Sequence, residues 1–146
     1  MRRLLGVLTA VIVAQVLTGI PVSAHATFLR AQPAPDSTAT TSPASVRIWF
    51  KADPNEELDP RRSAVSVWSA QGRRVDDGKG GVDLNDLDRL SLIARLKPLA
   101  AGTYTVRWRA VSTPDLAIRQ GTFRFTVSGG SSLPALKVVS LWTAPR

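Results

Sequence analysis

Hydrophobic and polar residues alternate with a period of two through much of the chain. The clearest run is GTYTVRWRAVS, residues 102–112, where Tyr104, Val106, Trp108 and Ala110 share one face and Thr105, Arg107 and Arg109 the other. Successive side chains of a strand point to opposite sides of a sheet, so this pattern predicts a strand with one buried face. GTFRFTV, residues 121–127, repeats the pattern and sets Phe123, Phe125 and Val127 against Arg124 and Thr126. Leu90, Leu92, Ala94 and Leu96 alternate with Ser91, Ile93 and Arg95 until Lys97-Pro98 stops the run. VRIWF at 46–50 is β-branched and aromatic, and Ala64 to Ser69 puts Val65 and Val67 on one face before Gln71 to Arg74 turn the chain. Short period-two runs without a helical stripe predict an all-β fold, an antiparallel sandwich of about seven strands. Trp49, Trp68, Trp108, Phe123 and Phe125 are expected to fill the space between its sheets.

The connecting segments read differently. Gln32 to Ser45 is rich in Pro, Ser and Thr and predicts an irregular connection. Lys51 to Arg62 is a charged loop with Pro54 and Pro60. Asp76 to Arg89 carries five aspartates, including DLNDLD, and invites comparison with a calcium loop. Such a loop needs ligands at alternate positions, a central glycine and a closing glutamate. Leu84 and Leu87 break that scheme and no glutamate follows, so an exposed loop is expected.

The N-terminus predicts export. Arg2 and Arg3 precede an apolar run from Leu4 to Ile20, and Val22-Ser23-Ala24 offers the small residues a signal peptidase requires. A leader of residues 1–24 leaves a single domain at 25–128 and a tail at 129–146 that is too short to span a membrane. A rival cut after Ala26 would remove His25, the one histidine in the chain. Losing Arg2 and Arg3 lowers the net charge from +8 to +6. The remaining arginines are scattered along the strands rather than blocked together, which predicts a solvated basic surface and no nucleic-acid site.

Composition narrows the chemistry. Without cysteine there is no disulfide, thiolate ligand or Cys nucleophile, and Met1 leaves with the leader. One histidine at a terminus cannot build a Ser-His-Asp triad, and the adjacent carboxylates Glu56-Glu57 and Asp76-Asp77 do not suit a glycosidase pair. A cut after Ala24 changes His25 itself. Its new α-amine and its imidazole can close a chelate ring on one metal ion, and a tetragonal nitrogen set suits Cu(II). The amine must be deprotonated, and with a free pKa of about 7.7–8.0 its binding weakens in acid.

These segments together resemble the CopC-type periplasmic copper-resistance domain. The likeness rests on His25-Ala26 after the leader, Pro33-Ala34, VRIWF, the Val65-x-Val67…Gly72…Val75 turn, Leu99 to Arg109, and Gly121 to Val127. It implies a seven-stranded, immunoglobulin-like Greek-key β-sandwich in the periplasm that binds copper and passes it on, with no enzymatic activity. An inner-membrane copper transporter is the implied partner. The family's Cu(II) ligands are the N-terminal amine and imidazole with an Asp and a His from a Ser-x-Asp-Gly-His-x-x-x-Gly loop. Here that loop is STPDLAIRQG, Ser112 to Gly121, one residue longer. Counting back from Gly121 puts Asp115 at the aspartate and Ala117 at the second histidine; counting forward from Ser112 puts Pro114 at the aspartate. The first register is preferred, and the implied metal ligands are His25 and Asp115. Loss of one imidazole implies weaker binding. It also leaves open a sandwich without metal that serves as an interaction module. An oxygenase of the histidine-brace type needs a second histidine, which the chain lacks.

Overall fold

The computed structural model describes residues 26–113 and 115–129; the expected leader at 1–24, His25, Pro114 and the residues from 130 onward lie outside the described residues. Eight strands follow in chain order: β1 (Thr27–Gln32), β2 (Thr38–Ala39), β3 (Ser45–Lys51), β4 (Ala64–Ser69), β5 (Gly81–Val82), β6 (Ser91–Arg95), β7 (Gly102–Val111) and β8 (Ile118–Val127). They form two four-stranded sheets of order β1-β3-β6-β5 and β2-β8-β7-β4. The chain passes repeatedly from one sheet to the other, and all ladders are antiparallel except the two-residue pairing of β2 with β8. This is the expected β-sandwich; its eight strands include two of only two residues. Among the described residues no helix is long and apolar enough to cross a membrane.

The period-two pattern decides which residues the sandwich buries. Val46, Ile48 and Phe50 of β3 meet Leu92 and Ala94 of β6, and Val65 and Val67 of β4 join Tyr104, Val106, Phe125 and Val127. Each such side chain contributes about 1.5–3 kcal/mol on full burial. At one flank Trp108 stacks on Phe28 with centroids 6.0 Å apart and meets Phe50 edge-on at 5.2 Å. Gly121, opposite Trp108 in the ladder, leaves room for the indole: a Cβ there would lie 2.5 Å from its ring.

The same phase corrects two of the five aromatic assignments. With Val46, Ile48 and Phe50 inside, Trp49 must face outward, and Arg30 stacks over its ring at 3.5 Å. With Val65 and Val67 inside, Trp68 also faces outward and lies 5.7 Å from the Arg107 guanidinium. Trp108, Phe123 and Phe125 do pack in or against the core.

The aspartate-rich segment is less exposed than its composition suggests. Asp83 is buried and pairs with Arg47 at 2.5 Å, while Asp86 accepts the Leu90 amide and the Ser91 hydroxyl. Asp76 is 3 % exposed and accepts the amides of Val67 and Gly78 together with the Arg74 guanidinium. Burial alone raises the Asp76 carboxyl, but these bonds outweigh it and hold the group below its ordinary value. The Arg74 guanidinium, bonded to that carboxylate, is shifted further up. These aspartates organise turns and strand ends.

Candidate metal centre

The start of β1, the ends of β3 and β7 and the starts of β4, β6 and β8 all lie at one end of the sandwich, as their registers require. The chain enters there through Ala26. This alanine is 0 % exposed, and its amide donates to the Ser112 hydroxyl at 3.2 Å. Ser112, itself 1 % exposed, sits just beyond β7 and forms an isolated bridge with Leu58. Leu58 belongs to the charged loop predicted at 51–62, yet it is fully buried and closes this end of the core. Its neighbour Glu57 is tied to the same place: the Thr113 amide donates to its carbonyl at 2.9 Å and its own amide donates to the Thr113 hydroxyl at 3.3 Å.

The loop between β7 and β8 is closed by its own bonds. The Ser112 amide donates to the Ala117 carbonyl at 2.9 Å, and the Asp115 Oδ1 accepts the Ala117 amide at 3.0 Å. Asp115 therefore shapes a turn, and the residue is exposed. Leu116, next to it, has φ +61°, a left-handed conformation that a leucine adopts only under strain. The end of β7 before this loop is held as well. Ser63 Oγ accepts the Val111 amide at 3.0 Å, and the Asp59 amide donates to the Val111 carbonyl at 2.8 Å.

Charge is sorted towards this end. Asp53, Glu56, Glu57 and Asp59 lie on the β3–β4 loop, Asp83, Asp86 and Asp88 on the β5–β6 loop, and Asp115 on the β7–β8 loop, eight of the eleven acids in the chain. A negative end concentrates cations near it. Yet among the described residues no three His, Cys, Asp or Glu side chains converge as a metal cage. Of the two expected ligands, Asp115 stands on the exposed loop and His25 lies outside the described residues. Ala117, at the position of the family's second histidine, carries no donor side chain, and only its backbone is engaged. A groove of about 550 Å³ at the opposite end, lined by Arg73, Arg74 and Lys97 among others, offers cations rather than metal ligands.

Ser112 and the buried Ala26 are the parts of this arrangement that residue types did not reveal. A serine before a loop and an alanine next to the histidine are unremarkable as letters, and only the fold brings residues 86 positions apart into contact.

Comparison with known proteins follows the same geometry. The chain is similar in structure to CopC from Methylosinus trichosporium OB3b, with a TM-score of 0.61 and 26 % identity over 72 % of this chain and 95 % of that one. It is also similar to PcoC, a methionine-rich copper resistance protein from Escherichia coli, with a TM-score of 0.58 and 27 % identity over 72 % of this chain and all of PcoC. No curated protein matches it in sequence. The CopC domain model matches residues 28–128, from within β1 to just past the end of β8, and the chain belongs to the CopC domain family.

Proposed function

We propose that this is an exported, periplasmic copper-binding protein of copper resistance or trafficking, in which a leader of residues 1–24 is removed and Cu(II) is held by the amine and imidazole of His25 and by Asp115. The observation that carries the reading is the anchoring of Ala26 against Ser112. Consecutive Cα atoms are about 3.8 Å apart, so a residue at 25 begins next to a fixed point on the loop that bears Asp115. A chain starting at Thr27 would lack an interior residue, which favours the cut after Ala24 over the cut after Ala26. Leu116 supports the register used for Asp115. It takes a positive φ at the place where the family loop has glycine, between the aspartate and the missing histidine.

The protein acts as a carrier and not as an enzyme in this reading, and an inner-membrane copper transporter is the recipient. Two nitrogens and one carboxylate oxygen leave a coordination position to water, so binding is weaker than with a second imidazole. The other reading, a sandwich that no longer binds metal, is favoured by one observation: Asp115 Oδ1 already accepts the Ala117 amide.

N-terminal sequencing of the exported protein followed by Cu(II) titration separates the two. A His25 start, one equivalent bound, and affinity lowered by orders of magnitude in His25→Ala support the copper reading. A Thr27 start, or equal affinity in His25→Ala, sinks it.

A further inference from the structure

The arginines that look scattered in the sequence are gathered by the fold. β7 sends Arg107 and Arg109 to the outer face of the second sheet, and Arg124 of β8 emerges beside them. Arg107 lies across from Ser66 and Thr122, Thr105 from Trp68 and Arg124, so the three cations form a triangle over two strands. With about 4.8 Å between strands and about 6.8 Å between alternate residues, Arg107 lies within about 9 Å of each of the other two, inside a Debye length at 0.1 M salt, while Arg109 and Arg124 are about 14 Å apart.

Along β4, β7 and β8 no outward position is a carboxylate; at the β2 edge Asp36 lies next to Arg124, its amide donating to the Arg124 carbonyl at 2.8 Å. The other outward positions on β4, β7 and β8 are hydroxyl, amide or alanine side chains, apart from Trp68 and, at the start of β8, the exposed Ile118. All three arginines are exposed, and none forms an ion pair within 4 Å among the described residues. The outer face of the first sheet differs, because Asp83 there neutralises Arg47. Guanidiniums without an ion pair on one sheet face repel one another, Arg107 most of all, and the repulsion is relieved by an anionic surface laid against them.

We propose that the outer face of the second sheet docks on an anionic lipid surface, with Arg107, Arg109 and Arg124 on the headgroup phosphates and Trp68 at the interface. Charge complementarity selects this partner: the face sets three exposed guanidiniums among hydroxyl and amide donors, and guanidinium forks match phosphate oxygens. Tryptophan beside arginine is the pairing that suits a headgroup layer, where an apolar ring and a polar edge are both accommodated. Docked in this way, the strands lie parallel to the membrane and the acidic end points along its surface. The inference does not depend on copper.

Sedimentation of the purified exported protein with vesicles tests it, comparing phosphatidylglycerol–phosphatidylcholine mixtures with phosphatidylcholine alone. At low salt the protein is expected to partition to the anionic vesicles only and to be released by high salt. Each arginine is worth about a fivefold change in partitioning, so Arg107→Gln/Arg109→Gln/Arg124→Gln should lose about a hundredfold. Removing the same charge from the other side, in Arg30→Gln/Lys79→Gln/Arg95→Gln, should cost far less. Equal loss in both triple variants, equal binding to neutral vesicles, or binding to an acidic polypeptide such as polyglutamate but not to anionic vesicles would overturn the proposal. Far-UV circular dichroism of both variants establishes that they are folded.

Discussion

Replacing Ser112 by alanine tests how the chain is held at Ala26. The substitution removes one hydroxyl at a site that is 1 % exposed and leaves the backbone bridge to Leu58 and the amide bond to Ala117 in place. What changes is the acceptor for the Ala26 amide, now 3.2 Å away. A buried donor left without a partner costs about 1–3 kcal/mol, against about 1 kcal/mol for an ordinary net hydrogen bond. The segment at Ala26 can escape part of this cost by swinging out to water, so the loss in docking is about 1–2 kcal/mol, a factor of roughly 5 to 30. If copper uses the docked terminus, that factor reappears in Cu(II) affinity, measured by competition against a chromophoric chelator. Hydrogen exchange at the Ala26 amide should accelerate by the same factor. Unchanged exchange and unchanged Cu(II) affinity in Ser112→Ala would refute the anchoring argument.

Three further outcomes follow from the fold. Gly121→Ala drives a Cβ to 2.5 Å from the Trp108 ring and should lower stability by about 1–3 kcal/mol through overpacking, read by urea denaturation. Leu116→Gly relieves a left-handed leucine and should raise stability by up to about 1 kcal/mol in a thermal melt, whereas a lower midpoint would contradict the strain. The Asp76 carboxyl is held below its ordinary value, so its contribution is complete above the unfolded pKa of about 3.9 and disappears as pH falls through the lower, folded one. Asp76→Asn should therefore destabilise the protein at neutral pH and flatten the acid limb of a stability–pH curve.

Strand positions were legible because burial on one face writes a period of two into the residues. β4 was bounded correctly, and β3, β6 and β7 within a residue of their ends. The phase itself was also present, since Val46, Ile48, Val65 and Val67 set it, and it already excluded Trp49 and Trp68 from the interior. Residue type, an aromatic ring expected to be buried, overrode the pattern in that assignment. Leu58 shows a different limit. A single apolar residue in a charged loop has no periodicity to mark it, and its burial depends on which loops the topology brings to one end. The same holds for the candidate site. Asp115 and His25 were identified by family likeness, while the tie between Ala26 and Ser112 arises from tertiary contact across the whole domain. The arginine triangle was hidden for that reason too, because cross-strand register, and not sequence spacing, puts Arg124 beside Arg107.

The interior position of Ala26 has a consequence for proteolysis. Exopeptidases trim a chain from a free end and need several residues in extended form to enter their active sites. A mature chain that begins at His25 exposes a single residue before an alanine held inside the domain. Trimming would have to undock Ala26 first, at the cost of its buried hydrogen bond. In a chain cut after Ala24, as proposed above, the alanine would act as an end-stop that keeps the terminal amine from further trimming.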